Sequence, residues 1–355
     1  MMRAEIGFEF EGKTGKGEMN KMNITYHRDV EHCSKSNYVK MVTIKEVNHA
    51  VNSDNLDVIR FVESGWQAVV KRDGYKVGDQ VCFIPPESML PVELSDALGI
   101  TTYLSKSKVK VAKLRGNRSE GLVVDYAAVG PYLDYIKHWE DLPDVQMAGE
   151  ALPHAQIPHY FVKFYKMPNL MNEPDTFRIG ERVYYSEKRH GTSCKLGCLK
   201  NPQTEEYQLY VASMNTVLKD SEGNLYWRTV RETLGDIELP KDYIFYGEIY
   251  GLGVQDMQYG LKKQTLDMFN VWFDWNYIDL KEGQAICNSL GLPFIQLHED
   301  EFQGLDWARD IADSPSELYN GFREGIVLVS AEDPNRMAKV IGNTYLSRKK
   351  GTERH

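Results

Sequence analysis

Apolar and polar positions alternate with period two through much of this chain, and apolar positions fall at helical spacing in three short stretches. Val42–Val47, Val58–Val62, Trp66–Val70 and Val81–Ile84 read as strands. Turns at Ser64-Gly65 and within Tyr75–Asp79 separate them, and Pro85-Pro86 stops the last. Lys106–Leu114 and Leu122–Val124 complete a set of short, closely spaced strands over residues 39–125, the pattern of a small β-barrel. Further on, strands are predicted at Val183–Tyr185, Gln208–Ser213, Tyr243–Tyr250, Phe269–Phe273 and Gly325–Val329. Helices are predicted at Leu225–Leu234, closed by Gly235, at Leu280–Leu290, closed by Gly291, and at Leu305–Ala312.

This order predicts an α+β chain in four parts: an extension over 1–38, a barrel over 39–125, a proline-rich connection over 126–175, and a mixed unit over 176–355. With 355 residues, 42% of them hydrophobic, two domains can each bury a core. No segment is apolar for long enough to span a bilayer, and the N-terminus lacks the apolar core of a signal peptide. Cys33, Cys82, Cys194, Cys198 and Cys287 are scattered and odd in number, and Cys194 with Cys198 lacks a second ligand pair for a metal. They read as reduced thiols, so a cytoplasmic setting is expected.

A formal net charge of −9 excludes a blanket electrostatic grip on nucleic acid but leaves room for a local basic track. Lys106, Lys108 and Lys110 lie two apart and would share one face of a strand, with Lys113, Arg115 and Arg118 extending the cluster. Such a stripe is either a phosphate-binding track or a solvated sheet face.

The stretch Ser186–Gly197, SEKRHGTSCKLG, lies between strand-like runs. His190-Gly191 reads as a tight turn, which places Lys188 at the mouth of a hairpin. A lysine there is a solvated surface residue, or a nucleophile if its surroundings lower its pKa from about 10.4. On a strand, Ile244, Tyr246, Glu248 and Tyr250 share a face, and a carboxylate in so apolar a strand is exposed, paired or bound to something. Phe273-Asp274 ends another strand, where plain core packing would also explain the ring. Arg323-Glu324-Gly325 puts a carboxylate at the entry of a buried strand, and Lys339 follows in Arg336–Val340.

Taken in order, these motifs resemble the ATP-dependent RNA ligases of the covalent nucleotidyltransferase superfamily. Lys188-Arg189-His190-Gly191 is similar to their Lys-x-His-Gly element. The Gly-Glu strand, the Gly251–Gly260 loop and the following Phe-Asp resemble the phage T4 type. The barrel from Met41 to Pro91 resembles the oligonucleotide-binding (OB) fold that precedes the catalytic domain in the Deinococcus and Naegleria type. The resemblance implies an OB-like barrel followed by an adenylyltransferase domain of antiparallel sheets with flanking helices. It implies catalytic roles for Lys188, His190 and Lys339, and a nucleotide site with Glu187, Gly191, Glu248, Phe273 and Glu324. Phe273 would stack on adenine and Glu187 would offer its backbone carbonyl. Glu324 and Glu248 would hold Mg²⁺ or Mn²⁺ through water. ATP and an RNA or RNA-containing nicked duplex are the expected partners, and the chain is expected to act as a monomer. Met337 departs from the family pattern, which places a basic residue there, and Met214 stands where a basic residue is often found. The alternatives are a capping-type guanylyltransferase and a non-catalytic RNA-binding protein with a decayed ligase domain.

Overall fold

The computed structural model describes residues 39–104, 107–138, 149–161, 164 and 167–348; the extension over 1–38 and Lys106 lie outside the described residues. The N-terminal strands are β1 (Lys40–His49), β2 (Leu56–Phe61), β3 (Gln67–Lys71), β4 (Gln80–Ile84), β5 (Ser88–Met89), β6 (Val111–Leu114), β7 (Asn117–Glu120), β8 (Leu122–Val124) and β9 (Lys137–His138). Five of them form one sheet in the order β3-β2-β1-β4-β8. Side chains of β7 carry the closure: Ser119 Oγ accepts from Val69 N–H and Glu120 Oε2 from Gln67 N–H, at 3.1 and 3.0 Å. This is the expected OB-type barrel. Short helices α1 (Val92–Ala97) and α2 (Tyr126–Val129) cover one end. There Val129, Leu133 and Ile136 pack with Cys82, Ile84 and Leu94, so the first part of the predicted connection belongs to the barrel.

The remainder holds two antiparallel sheets. The four-stranded one runs in the order β16 (His298–Glu301), β10 (Arg182–Glu187), β17 (Gly325–Ser330), β18 (Met337–Ile341). The five-stranded one runs in the order β12 (Tyr207–Ala212), β11 (Gly191–Lys200), β13 (Ile244–Gly251), β14 (Gln264–Phe273), β15 (Asn276–Tyr277). Three helices fall where apolar spacing and capping signals place them: α3 (Leu225–Leu234), α4 (Leu280–Leu290) and α5 (Leu305–Ala312). Asn224 and Asp279 cap the first two with side-chain oxygens that accept orphan N–H groups of the first turn. A fourth, α6 (Asn343–Leu346), follows β18.

The back of the five-stranded sheet buries Leu196, Phe245, Leu266 and Val271 against Trp227 and Val230 of α3 and Cys287 of α4. The back of the four-stranded sheet buries Val183, Ile326, Leu328 and Val340 against Ala308 and Ala312 of α5, in one cluster with Ile44, Ile59, Phe61 and Phe83 of the barrel. Barrel and sheet therefore share a core. Arg309 of α5 reinforces the junction: it reaches Glu120, which is fully buried, at 3.0 Å and donates to Gly65 O at 2.6 Å.

The predicted hairpin around Lys188 does not form. β10 and β11 belong to different sheets; β10 pairs with β17, and β11 with β13. Lys188–His190 is instead the link that carries the chain from one sheet to the other. Gly191 opens β11 without a positive φ. It is required for space, because a Cβ there would lie 2.1 Å from Ile249 O.

Candidate active site

In the four-stranded sheet, residues opposite one another on antiparallel strands share a face. Ser186, Val327 and Lys339 form one row, and Tyr184, Val329 and Met337 the next. Lys188 N–H donates to Gly325 O at 2.9 Å, which extends the row pattern past the end of β10. This face looks toward the five-stranded sheet, whose front carries Tyr246, Glu248 and Tyr250. The catalytic candidates thus line a cleft between two sheets, with the link Lys188–His190 at its base.

Lys188 Nζ lies 2.7 Å from Glu324 Oε1. The other oxygen of Glu324 is 3.0 Å from His190 Nδ1, and His190 Nε2 is 2.7 Å from Asp256 Oδ1. The His190 backbone N–H donates to Tyr259 Oη at 2.6 Å, and the Tyr345 hydroxyl lies 3.2 Å from Nδ1. Burial alone would lower the imidazole pKa. Hydrogen bonds to Asp256 and Glu324 outweigh it and raise the pKa to about 9, so His190 is an imidazolium at neutral pH. Burial alone would raise the pKa of Glu324, but the Lys188 ammonium and the His190 bond hold it at about 2. Glu248 goes the other way. Burial, with the Glu324 charge added, pushes it up to about 7 against the pull of Lys188 and His190.

Lys339 is buried on β18, its backbone held by Pro168 O and by Leu170 N–H at 2.8 Å each. It lies one row from Lys188 on the cleft face. Met337, one row further, is 2% exposed and packs with Tyr184, Leu280 and Val329. The end of the cleft that the family pattern would make basic is thus apolar here. Met214 is half exposed after β12. Glu187 shares a strand with the site but turns its carboxylate away. That carboxylate accepts from Ser316 Oγ and Glu317 N–H, both at 2.7 Å, and pins their loop.

Phe273 is not brought to this cleft. Glu248 is opposite Asp267, and Phe273 lies six residues further along β14, roughly 20 Å at strand rise. It stacks on Tyr243 with centroids 4.2 Å apart, and Tyr243 in turn on Phe245 of the helix-covered face. Its face is set by a register shift between Tyr246 and Gly247, which leaves Phe269 as an extra residue on β14. Phe269 is the ring on the Tyr246 side, 4.9 Å from Phe164.

The basic stripe also changes. Before the strand that starts at Val111, Lys108 makes only an isolated bridge to Met89 and Ser107 has φ 62°, so no continuous strand carries Lys108 and Lys110 on one face. Lys108 is half-buried and ion-paired with Glu87 at 3.5 Å, and Arg118 with Glu120 at 2.7 Å. Lys110, Lys113 and Arg115 remain exposed.

Residue patterns missed three groups that complete the site. Asp256 lies in the Gly251–Gly260 loop, where no strand or helix period marks it. Arg189, inside the lysine motif, is buried and bonds Asp267 at 3.1 Å, which also accepts from the Tyr250 hydroxyl at 2.7 Å. Tyr345 and Arg348 come from beyond the last motif. Among the described residues no group of three or more His, Cys, Asp or Glu has metal-holding geometry. No helix among them is long and apolar enough to cross a membrane.

Residues 181–341 match the RNA ligase family, and residues 38–126 match an OB-fold domain family. No curated protein matches the chain in sequence. Among solved structures, an RNA ligase of Naegleria gruberi with PPi superposes with a TM-score of 0.73 at 19% identity, covering 88% of this chain and 98% of its own. A variant of the same enzyme with ATP and Mn superposes with a TM-score of 0.75 at 19% identity, covering 88% of this chain and all of its own.

Proposed function

We propose that this chain, whose residues 181–341 match the RNA ligase family, seals RNA with ATP by way of a covalent lysyl-AMP on Lys188. The observation that carries the reading is the place of Lys188. Its amine stands at the base of a two-sheet cleft, aimed by Glu324, with Glu248 across from it and Lys339 one row away.

In the first step the free Lys188 amine attacks the α-phosphorus of ATP; a P–N bond forms and pyrophosphate leaves. A 5′-phosphate oxygen of RNA then displaces the lysine and takes the AMP. Finally a 3′-hydroxyl attacks the activated 5′-phosphate and AMP departs. Each step is a displacement at phosphorus that needs alignment and charge neutralisation. Lys339 supplies a fixed cation beside the α-phosphate. Lys188 attacks as the free amine, its protons passing to bulk water; Glu324, held at about 2, aims the amine and does not take the proton. Neighbouring structures with ATP and Mn support ATP and a divalent ion, Mg²⁺ or Mn²⁺, as co-substrate and cofactor. Glu324 and Glu248 fit it as hard oxygen donors, too few to enclose an ion that keeps its waters. When bound, the ion would offset phosphate charge.

The barrel, with exposed Lys110, Lys113 and Arg115, is the proposed contact for RNA at a nick or a free end, and the chain is proposed to act as a monomer. Incubation with α-labelled ATP or GTP tests the reading. Label transferred from ATP to protein and then to 5′-phosphorylated RNA supports it. Label from GTP alone, or none, contradicts it.

A further inference from the structure

Both ring nitrogens of His190 are engaged by carboxylates, Nδ1 by Glu324 and Nε2 by Asp256. The ring therefore presents no nitrogen to a substrate in this arrangement. Instead it joins two carboxylates into a chain of alternating charge that runs Asp256, His190, Glu324, Lys188. Arg348 continues it at the outer end, 3.4 Å from Asp256 Oδ1, and its guanidinium lies 3.6 Å from the centre of the Tyr345 ring. The members come from four separate places: the link between the sheets, the loop after β13, the entry of β17, and the segment after α6.

We propose that Asp256 is a positioning residue for lysyl-AMP formation, acting through His190 and Glu324 on the aim of the Lys188 amine. This rests on the reading of Lys188 as the nucleophile. The physical reason lies in the end torsions. An imidazole can flip about its last torsion, and a Glu carboxylate can rotate about its own, because both wells are broad. Glu324 uses one oxygen for Lys188 and the other for His190, so its plane is fixed only while the ring is fixed. Nδ1 alone does not fix the ring; the bond from Nε2 to Asp256 does. Asp256 is itself held, since its carboxylate is only 16% exposed and lies between His190 and Arg348. Misaiming a nucleophile by about 1 Å costs up to ~10²-fold in rate without weakening substrate binding in proportion.

A plainer role is available to Asp256, as a tie between the Gly251–Gly260 loop and the C-terminal segment. The two roles differ in what they change. Single-turnover lysyl-AMP formation is measured over a range of ATP concentrations with Mn²⁺, using the full chain, Asp256→Ala and Asp256→Asn. The expected result is a maximal rate lowered ~10-fold or more in Asp256→Ala with half-saturating ATP almost unchanged. Asp256→Asn, which still accepts from Nε2–H, recovers much of the rate. If Asp256→Ala is poorly folded, the Asp256→Asn chain and an Asp256→Glu chain carry the test through the same split of rate against half-saturation. A loss confined to half-saturating ATP, or no loss at all beside an active wild type, overturns the inference and leaves the ligase reading standing. A wild type that forms no adduct overturns the ligase reading itself.

Discussion

Glu248 and Glu324 approach Lys188 from opposite sheets, and the cleft moves their pKa values in opposite directions, to about 7 and about 2. Glu324 is stabilised as an anion by two cations. Glu248 is an anion kept at a cost, because burial outweighs its share of the same cations. Glu248→Gln should therefore leave the melting temperature at pH 8 equal or higher, while lysyl-AMP formation falls ~10²-fold. Glu324→Gln should lower both. Thermal melts beside single-turnover adenylylation check this, and the opposite order of melting temperatures would refute the electrostatic assignment.

Stability should also report on His190. Its folded pKa, about 9, lies above the ordinary 6.5, so the fold binds its proton more tightly than the unfolded chain does. That contribution is fully present below about pH 6.5 and is lost as pH rises toward 9. Denaturant titrations between pH 6 and 9.5 should show wild type losing stability over this window. His190→Gln should lose markedly less, and parallel slopes for the two chains would contradict the imidazolium.

Much of the fold was legible because its signals are local. The helices Leu225–Leu234, Leu280–Leu290 and Leu305–Ala312 carry apolar spacing, and caps or closing glycines stand at the first two. Lys188, Glu248 and Glu324 were legible because their neighbours fix them to strand ends and strand faces. The hairpin at His190 was misread because two strands joined by a short link need not pair. Their partners, β17 and β13, lie far along the chain. The face of Phe273 is set by a single extra residue on β14, which no alternation pattern reveals. Asp256 was missed because a loop carboxylate has no periodicity; only the fold brings it to His190.

Met337 offers a direct test of the apolar end of the cleft. It is buried with Tyr184, Leu280 and Val329 rather than facing a phosphate. Met337→Lys would put an ammonium among these side chains and should destabilise the protein by about 3–5 kcal/mol. Denaturant unfolding measures it. An unchanged midpoint with faster adenylylation would show that this position opens onto the nucleotide after all.

The shared core predicts the outcome of cutting the barrel away. A fragment starting near residue 150 would strip Val183, Ile326, Leu328 and Val340 of their contacts with Ile44, Ile59, Phe61 and Phe83. It would also leave Arg309 without Glu120. The fragment should aggregate or melt far below the full chain. Size-exclusion chromatography and thermal melting decide it, and a soluble monomer of near-native stability would contradict the shared core.

The central claim is that the amine aimed by Glu324 is the one that takes up the nucleotide. Peptide mass spectrometry after incubation with ATP and Mn²⁺ tests it most directly. The account predicts one added AMP on the peptide spanning Ser186–Lys195, located at Lys188, and none in Lys188→Ala. An adduct on another lysine, or one that persists in Lys188→Ala, would contradict it.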